Sequence, residues 1–152
     1  MLLETKVPPP IVVTITAVII WVISYFAPQL TMPAGIRWAA SLVLVVTGAF
    51  FTVAGIRSFR RAQTTANPIN PEQASSLVTG GVYQITRNPM YLGLSFVLLA
   101  WAVFLASAWA LLGVAGFMLY IHRFQIVPEE RALSRVFGSE YVAYKASVRR
   151  WL

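Results

Sequence analysis

The chain reads as an all-α membrane protein, a single domain over residues 1–152 with about four transmembrane helices, a cytoplasmic loop and C-terminal amphipathic helices. Three observations predict this. Hydrophobic residues make up 58% of the sequence against 11% charged, and the mean hydropathy is +0.70, well outside the range of an ordinary water-soluble domain. The apolar residues fall in runs near the twenty or so needed to cross about 30 Å of hydrocarbon. With four crossings, eleven of the twelve Lys and Arg share one side and only Arg37 lies across, as the positive-inside rule requires.

The first expected crossing is 10–30, rich in Ile and Val and without charge. Glu4, the prolines Pro8, Pro9 and Pro10 and the lack of a small-x-small site argue against a cleaved signal peptide. A proline-bearing turn follows, then a second crossing at 36–56, where Gly48 and Gly55 stand seven residues apart on one face, small enough for close helix contact. Residues 57–88 read as the polar loop, a length that points to function. The charge-free stretch Tyr91–Ile121 suits a hairpin of two helices at about 90–106 and 108–125, turning near Ala106-Ser107-Ala108. A single tilted helix would send the basic tail to the opposite face and erase the charge asymmetry. The tail, 129–152, repeats Leu133, Val136, Phe137, Tyr141, Tyr144 and Val148 at helical spacing, with Gly138-Ser139 dividing it.

Composition also excludes chemistry. There are no cysteines, so disulfides, thiolate metal sites and a cysteine nucleophile are ruled out. His122 is the single histidine, too little for a metal site, and none is expected. The net charge of +7 belongs to loops facing lipid headgroups, so membrane lipids are the expected partners and nucleic acid is not.

Two places are equipped for catalysis. In Arg87-Asn88-Pro89-Met90-Tyr91, Asn88 suits an N-cap and Pro89 a first helical turn. The same start aims backbone N–H groups and the positive helix end at the interface beside Arg87, ready for a carboxylate. Tyr83 and Tyr91 flank it, either as interfacial anchors or as aromatic faces for a cation. The second place is His122-Arg123 followed by Pro128-Glu129-Glu130, where the glutamates complement a helix dipole at the least and Arg123 snorkels at least.

Taken in order, Leu77-Val78-Thr79-x-Gly81-Val82-Tyr83, Arg87-Asn88-Pro89-x-Tyr91-x-Gly93, Glu129-Glu130 and Phe137-Gly138-x-x-Tyr141-x-x-Tyr144 resemble the membrane methyltransferases that include isoprenylcysteine carboxyl methyltransferase and the phospholipid (phosphatidylethanolamine) N-methyltransferases. The resemblance covers the C-terminal half. It implies an enzyme that binds S-adenosylmethionine at the cytoplasmic face, releases S-adenosylhomocysteine and methylates a lipid-like or membrane-embedded small acceptor, a carboxylate or an amine. Carried over by position, cofactor contacts fall on Ser75, Ser76, Leu77, Val78, Tyr83, Arg87, Asn88, Pro89, Met90 and Tyr91. Catalytic positions on the substrate side fall on Glu129 and Glu130, with Arg123 as the nearby arginine rather than a matched position. Asn88 stands where the best-known members carry histidine, and Gln125 where the isoprenylcysteine enzymes carry a substrate arginine, so the acceptor stays open. The expected location is a bacterial or archaeal cell membrane with both termini cytoplasmic. The competing readings are a small non-catalytic membrane protein whose glutamates and tyrosines only anchor helices, and a reductase of sterol-like lipids, for which the chain is short and lacks a nicotinamide signature.

Overall fold

The computed structural model describes residues 7–63 and 75–152. It is built from α1 (Pro9–Phe26), α2 (Ala34–Arg61), a 3-10 turn (Gly81–Gln84), α3 (Pro89–Phe104), α4 (Ala110–Ile121), a π turn (His122–Ile126) and α5 (Val127–Ser147). Among the described residues there is no strand. The stretch 64–74 of the expected loop lies outside the described residues.

Among the described residues, three helical stretches are long and apolar enough to cross a membrane: α1, α2 and the stretch Ala110–Ser147, in which α4, the π turn and α5 run on from one another. The apolar part of that last stretch is its beginning; α5 carries Glu129, Glu130, Arg131, Arg135, Glu140 and Lys145, a composition suited to an interface. Helix α3 is apolar and has 16 residues, about 24 Å at the α-helical rise.

Helix ends follow local chemistry. Pro28 disfavours helical backbone at Ala27, whose ψ of 153° is extended, so α1 stops at Phe26 and not near residue 30. Helix α2 continues past the expected end at residue 56, because Arg57, Arg60 and Arg61 are good helix formers. Arg60 and Arg61 in its last turn also complement the negative helix end. The loop therefore starts only after Arg61. The hairpin turns where its small residues predict, through Leu105–Trp109, with Ala106 at φ 49°.

Several polar groups within the apolar helices are satisfied internally, as a bilayer favours, although the Ser41 hydroxyl and Arg37 Nε of α2 are buried without a hydrogen-bond partner among the described residues. The Thr16 hydroxyl donates to the Val12 carbonyl at 2.8 Å and the Ser24 hydroxyl to the Ile20 carbonyl at 2.8 Å. Between helices, the Trp101 indole donates to the Ala17 carbonyl at 3.1 Å and joins α3 to α1. The outward faces of α1 and α2 stay apolar, with Ile15, Leu42, Val43 and Phe50 exposed, which suits lipid contact.

Helices α2 and α3 pack through glycine, as the Gly48 and Gly55 spacing predicts. A Cβ on Gly48 would stand 2.6 Å from the Gly93 carbonyl oxygen, and one on Gly93 2.5 Å from the Gly48 carbonyl oxygen. Two backbones thus touch where any side chain would part them. Helix α1 packs against α3 and α4.

One end of this bundle gathers distant segments. The Gln125 amide donates to the Val7 carbonyl at 2.7 Å, the Ser76 hydroxyl to the Ala62 carbonyl at 3.2 Å, and the Arg87 N–H to the Arg149 carbonyl at 2.9 Å. At the other end the Leu30 N–H donates to the Ala106 carbonyl at 2.7 Å.

Candidate active site

The site forms where α3 begins and α5 begins. Pro89 opens α3 as expected. Asn88 occupies the N-cap position, but its side chain makes no capping bond. Its amide nitrogen instead donates to the Arg150 carbonyl at 2.8 Å. That partner lies 62 positions away, beyond the reach of local capping rules.

One turn further on, the Tyr91 hydroxyl donates a short hydrogen bond to Glu129 Oε1. This bond joins the two motifs that sequence alone kept apart, and it makes Tyr91, 7% exposed, more than an interfacial anchor. Glu129 is half-buried. Burial pushes its carboxyl up to about 8; the Tyr91 hydrogen bond opposes that rise and the neighbouring Glu130 charge adds to it.

Glu130 has the opposite setting. It is 7% exposed, and burial alone would raise its carboxyl. The Arg150 hydrogen bonds and the charges of Arg87, Arg150 and Lys145 outweigh burial and hold it below its ordinary value. Arg150 Nε and Nη2 grip the two carboxylate oxygens at 2.9 and 2.7 Å, a two-pronged, charge-assisted contact. Arg87 Nη1 lies 3.2 Å from Oε1 and Lys145 Nζ 3.8 Å from Oε2. Two adjacent glutamates therefore differ, one held as an anion and the other favouring its neutral form near neutral pH.

Arg87 matters for a second reason. Its Nε and Nη1 are buried without a hydrogen-bond partner among the described residues; the 3.2 Å approach to Glu130 is an ion pair without hydrogen-bond alignment. Buried donors of this kind call for an acceptor.

The remaining sequence candidates line the neighbouring wall. Leu77 and Val78 pack with Tyr83, Tyr141 and Tyr144, and the Tyr144 hydroxyl donates to the Tyr83 carbonyl at 2.7 Å. The Tyr83 ring stands edge-on to Phe59 at 5.5 Å. Met90, Pro89 and the Tyr83 hydroxyl converge on Gly55, where a Cβ would meet them at 2.9, 3.3 and 3.6 Å. Ser75 is exposed and Ser76 half-buried at the edge of this wall. Arg123 sits in the π turn with its guanidinium 5.5 Å from the Phe124 ring centre, while the arginines on Glu130 are Arg87 and Arg150.

Sequence reasoning missed Arg150 and the tyrosine pair Tyr141 and Tyr144 as parts of this site. The tyrosines had a signal, their three-residue spacing on the tail. Arg150 had only its place in a basic end, Arg149-Arg150-Trp151.

Comparison with known proteins bears on what such a site does. A model of the phospholipid methyltransferase family matches residues 36–140. An uncharacterized protein of Haemophilus influenzae is 52% identical over 63 residues, which cover 41% of this chain and 100% of that protein. Protein-S-isoprenylcysteine O-methyltransferase A of Arabidopsis thaliana is 32% identical over 110 residues, 70% of this chain and 54% of that protein. Its counterpart B is 30% identical over 140 residues, 87% of this chain and 69% of that protein. The chain thus spans between about half and two thirds of the length of these plant relatives. No solved structure matches.

Proposed function

Because this chain belongs to the phospholipid methyltransferase family, a family of membrane enzymes, we propose that it transfers a methyl group from S-adenosylmethionine to a lipid-like or small membrane-embedded acceptor at the cytoplasmic face. The reading rests above all on one observation, the hydrogen bond from Tyr91 to Glu129, which brings the proposed donor corner of α3 against the proposed acceptor end of α5. On this reading both termini lie in the cytoplasm of a bacterial or archaeal cell. The cytoplasmic side is supported by the gathering of Val7, the end of α2 and the tail at one end of the bundle, the end where the Lys and Arg concentrate.

The residues present fit the donor. Arg87 Nε and Nη1, buried without a hydrogen bond to another described residue, suit the carboxylate of its amino-acid arm, and the Tyr83 and Tyr91 rings suit its cationic centre. When bound, the donor supplies a methyl group on a sulfonium that leaves as a neutral thioether. The protein's share is alignment and exclusion of water. Glu130, clamped by cations, keeps Arg87 in place, and Tyr91 orients Glu129. With an amine acceptor, Glu129 takes up the proton the amine must lose. With a carboxylate acceptor no proton moves, and Arg123 holds the acceptor.

Titration of labelled S-adenosylmethionine onto the purified protein tests the donor, and mass spectrometry of lipid extracts incubated with deuterated methyl donor finds the acceptor. Saturable binding and a deuterated lipid product are expected. Absence of saturable binding overturns the reading.

A further inference from the structure

Beyond Ser147 the chain leaves α5 in extended form, Val148 having φ −126° and ψ 137°. The residues that follow lie as a strap across the start of α3. Its backbone is bound there three times: the Arg149 carbonyl accepts from the Arg87 N–H at 2.9 Å, and the Arg150 carbonyl accepts from Asn88 Nδ2 at 2.8 Å and the Thr86 hydroxyl at 3.2 Å. Thr86 is fully buried, and its bond and that of Asn88 to the strap are part-buried. Trp151 is half-buried and packs against both hydrophobic clusters of the protein.

The Arg150 side chain points to the other half of the site. It grips both Glu130 oxygens, and its Nη1 lies 3.4 Å from His122 Nδ1 in the π turn. One residue therefore holds the α3 corner through its carbonyl and the α5 carboxylate through its guanidinium. Charge balance alone does not require it, because Arg87 and Lys145 already face Glu130. What Arg150 adds is direction: a planar fork fixes the plane of a carboxylate in a way an ammonium cannot.

We infer that Arg150 is a positioning residue of the methyl transfer, setting the orientation of Glu130 against the Asn88 corner. The inference rests on the proposed methyltransferase reading. The groups facing the glutamate pair are Tyr91 of α3, Tyr83 of the 3-10 turn, Arg87, Tyr141 and Lys145 of α5, and Arg150 itself, with His122 behind it. Loss of the Arg150 cation leaves the Glu130 carboxyl easier to protonate.

The test compares wild type, Arg150→Gln and Arg150→Lys by methyl-transfer kinetics and by infrared titration of the Glu130 carboxyl, whose band is assigned by its loss in Glu130→Gln. Arg150→Gln is expected to lower kcat by about tenfold or more with the donor KM within about threefold, and to move the Glu130 midpoint upward. Arg150→Lys restores the midpoint, since the charge returns, but only part of kcat, since the fork does not. A wild-type kcat and midpoint in Arg150→Gln overturn the inference, as does a loss that Lys restores in full. If Arg150→Gln does not fold, the Lys variant decides: a lower kcat at an unmoved midpoint supports the role and an unchanged kcat overturns it. A wild-type protein that binds no methyl donor sinks the methyltransferase reading itself, while the infrared midpoints still report whether Arg150 governs Glu130.

Discussion

The two ends of the helical bundle are held by different forces. At the far end, the turns after α1 and α3 meet through one backbone hydrogen bond from Leu30 to Ala106, with Trp38 edge-on to Phe104 at 4.9 Å and Arg37 5.8 Å from the Phe104 ring centre. At the site end, segments separated by tens of residues are joined by charged and hydroxyl side chains around Glu129 and Glu130. The far end needs only to turn the chain, so backbone and ring contacts suffice. The site end holds ionisable groups at an apolar boundary, and each requires a partner to be kept there. The glycine contact of α2 with α3 lies between the two and sets how closely they can stand.

That contrast can be broken from the scaffold side first. Gly93→Val places a side chain against the Gly48 carbonyl and the Thr52 N–H, forcing α2 from α3. The expected result is a loss of about 1–3 kcal/mol or more, read as a fall in folded, detergent-extractable protein with donor binding abolished. From the site side, Glu129→Gln leaves the packing in place and is expected to lower methyl transfer by about 10²–10⁴-fold to an amine acceptor, with donor binding retained. Tyr91→Phe removes one hydrogen bond to the same carboxylate and is expected to cost about tenfold in kcat/KM, equal to about 1.4 kcal/mol.

The acidity of Glu129 sharpens the comparison further. Its carboxyl is raised, to about 8, so its basic form grows as pH rises. For an amine acceptor, kcat/KM is expected to climb with pH and level off above about 8. A profile flat through that range assigns the acceptor to the carboxylates. The smallest effect belongs to the far end, where Arg37→Gln removes a ring contact of about 0.5–1 kcal/mol and is expected to leave methyl transfer within twofold of wild type.

How much of this was legible depends on the range over which each feature is encoded. The hairpin turn at Ala106-Ser107-Ala108 and the small-residue face of Gly48 and Gly55 are local, and simple spacing located them. The start of α3 was legible from Asn88-Pro89, but not the partner of the Asn88 side chain, because no periodicity connects residue 88 with residue 150. Helix α2 runs past the boundary that its first arginine suggests, because charge marks the end of an apolar run and not the end of a helix, and arginine is a good helix former. The pairing of Tyr91 with Glu129 needed the hairpin to fold back. Each motif was visible alone, and only the fold shows that they touch.

The break in α5 at Gly138 has a consequence for handedness. Its backbone, at φ 53° and ψ −123°, is the mirror image of an ordinary extended conformation, and a Cβ there would meet nothing within 4 Å. Space is therefore no obstacle, and stereochemistry alone reserves the position for glycine. An L-alanine placed there by mutagenesis bears strain of about 1–3 kcal/mol. A D-alanine introduced by peptide ligation sits at ease, and the bend that turns Tyr141 and Tyr144 back toward Tyr83 becomes a place where the two enantiomers of one amino acid give opposite answers.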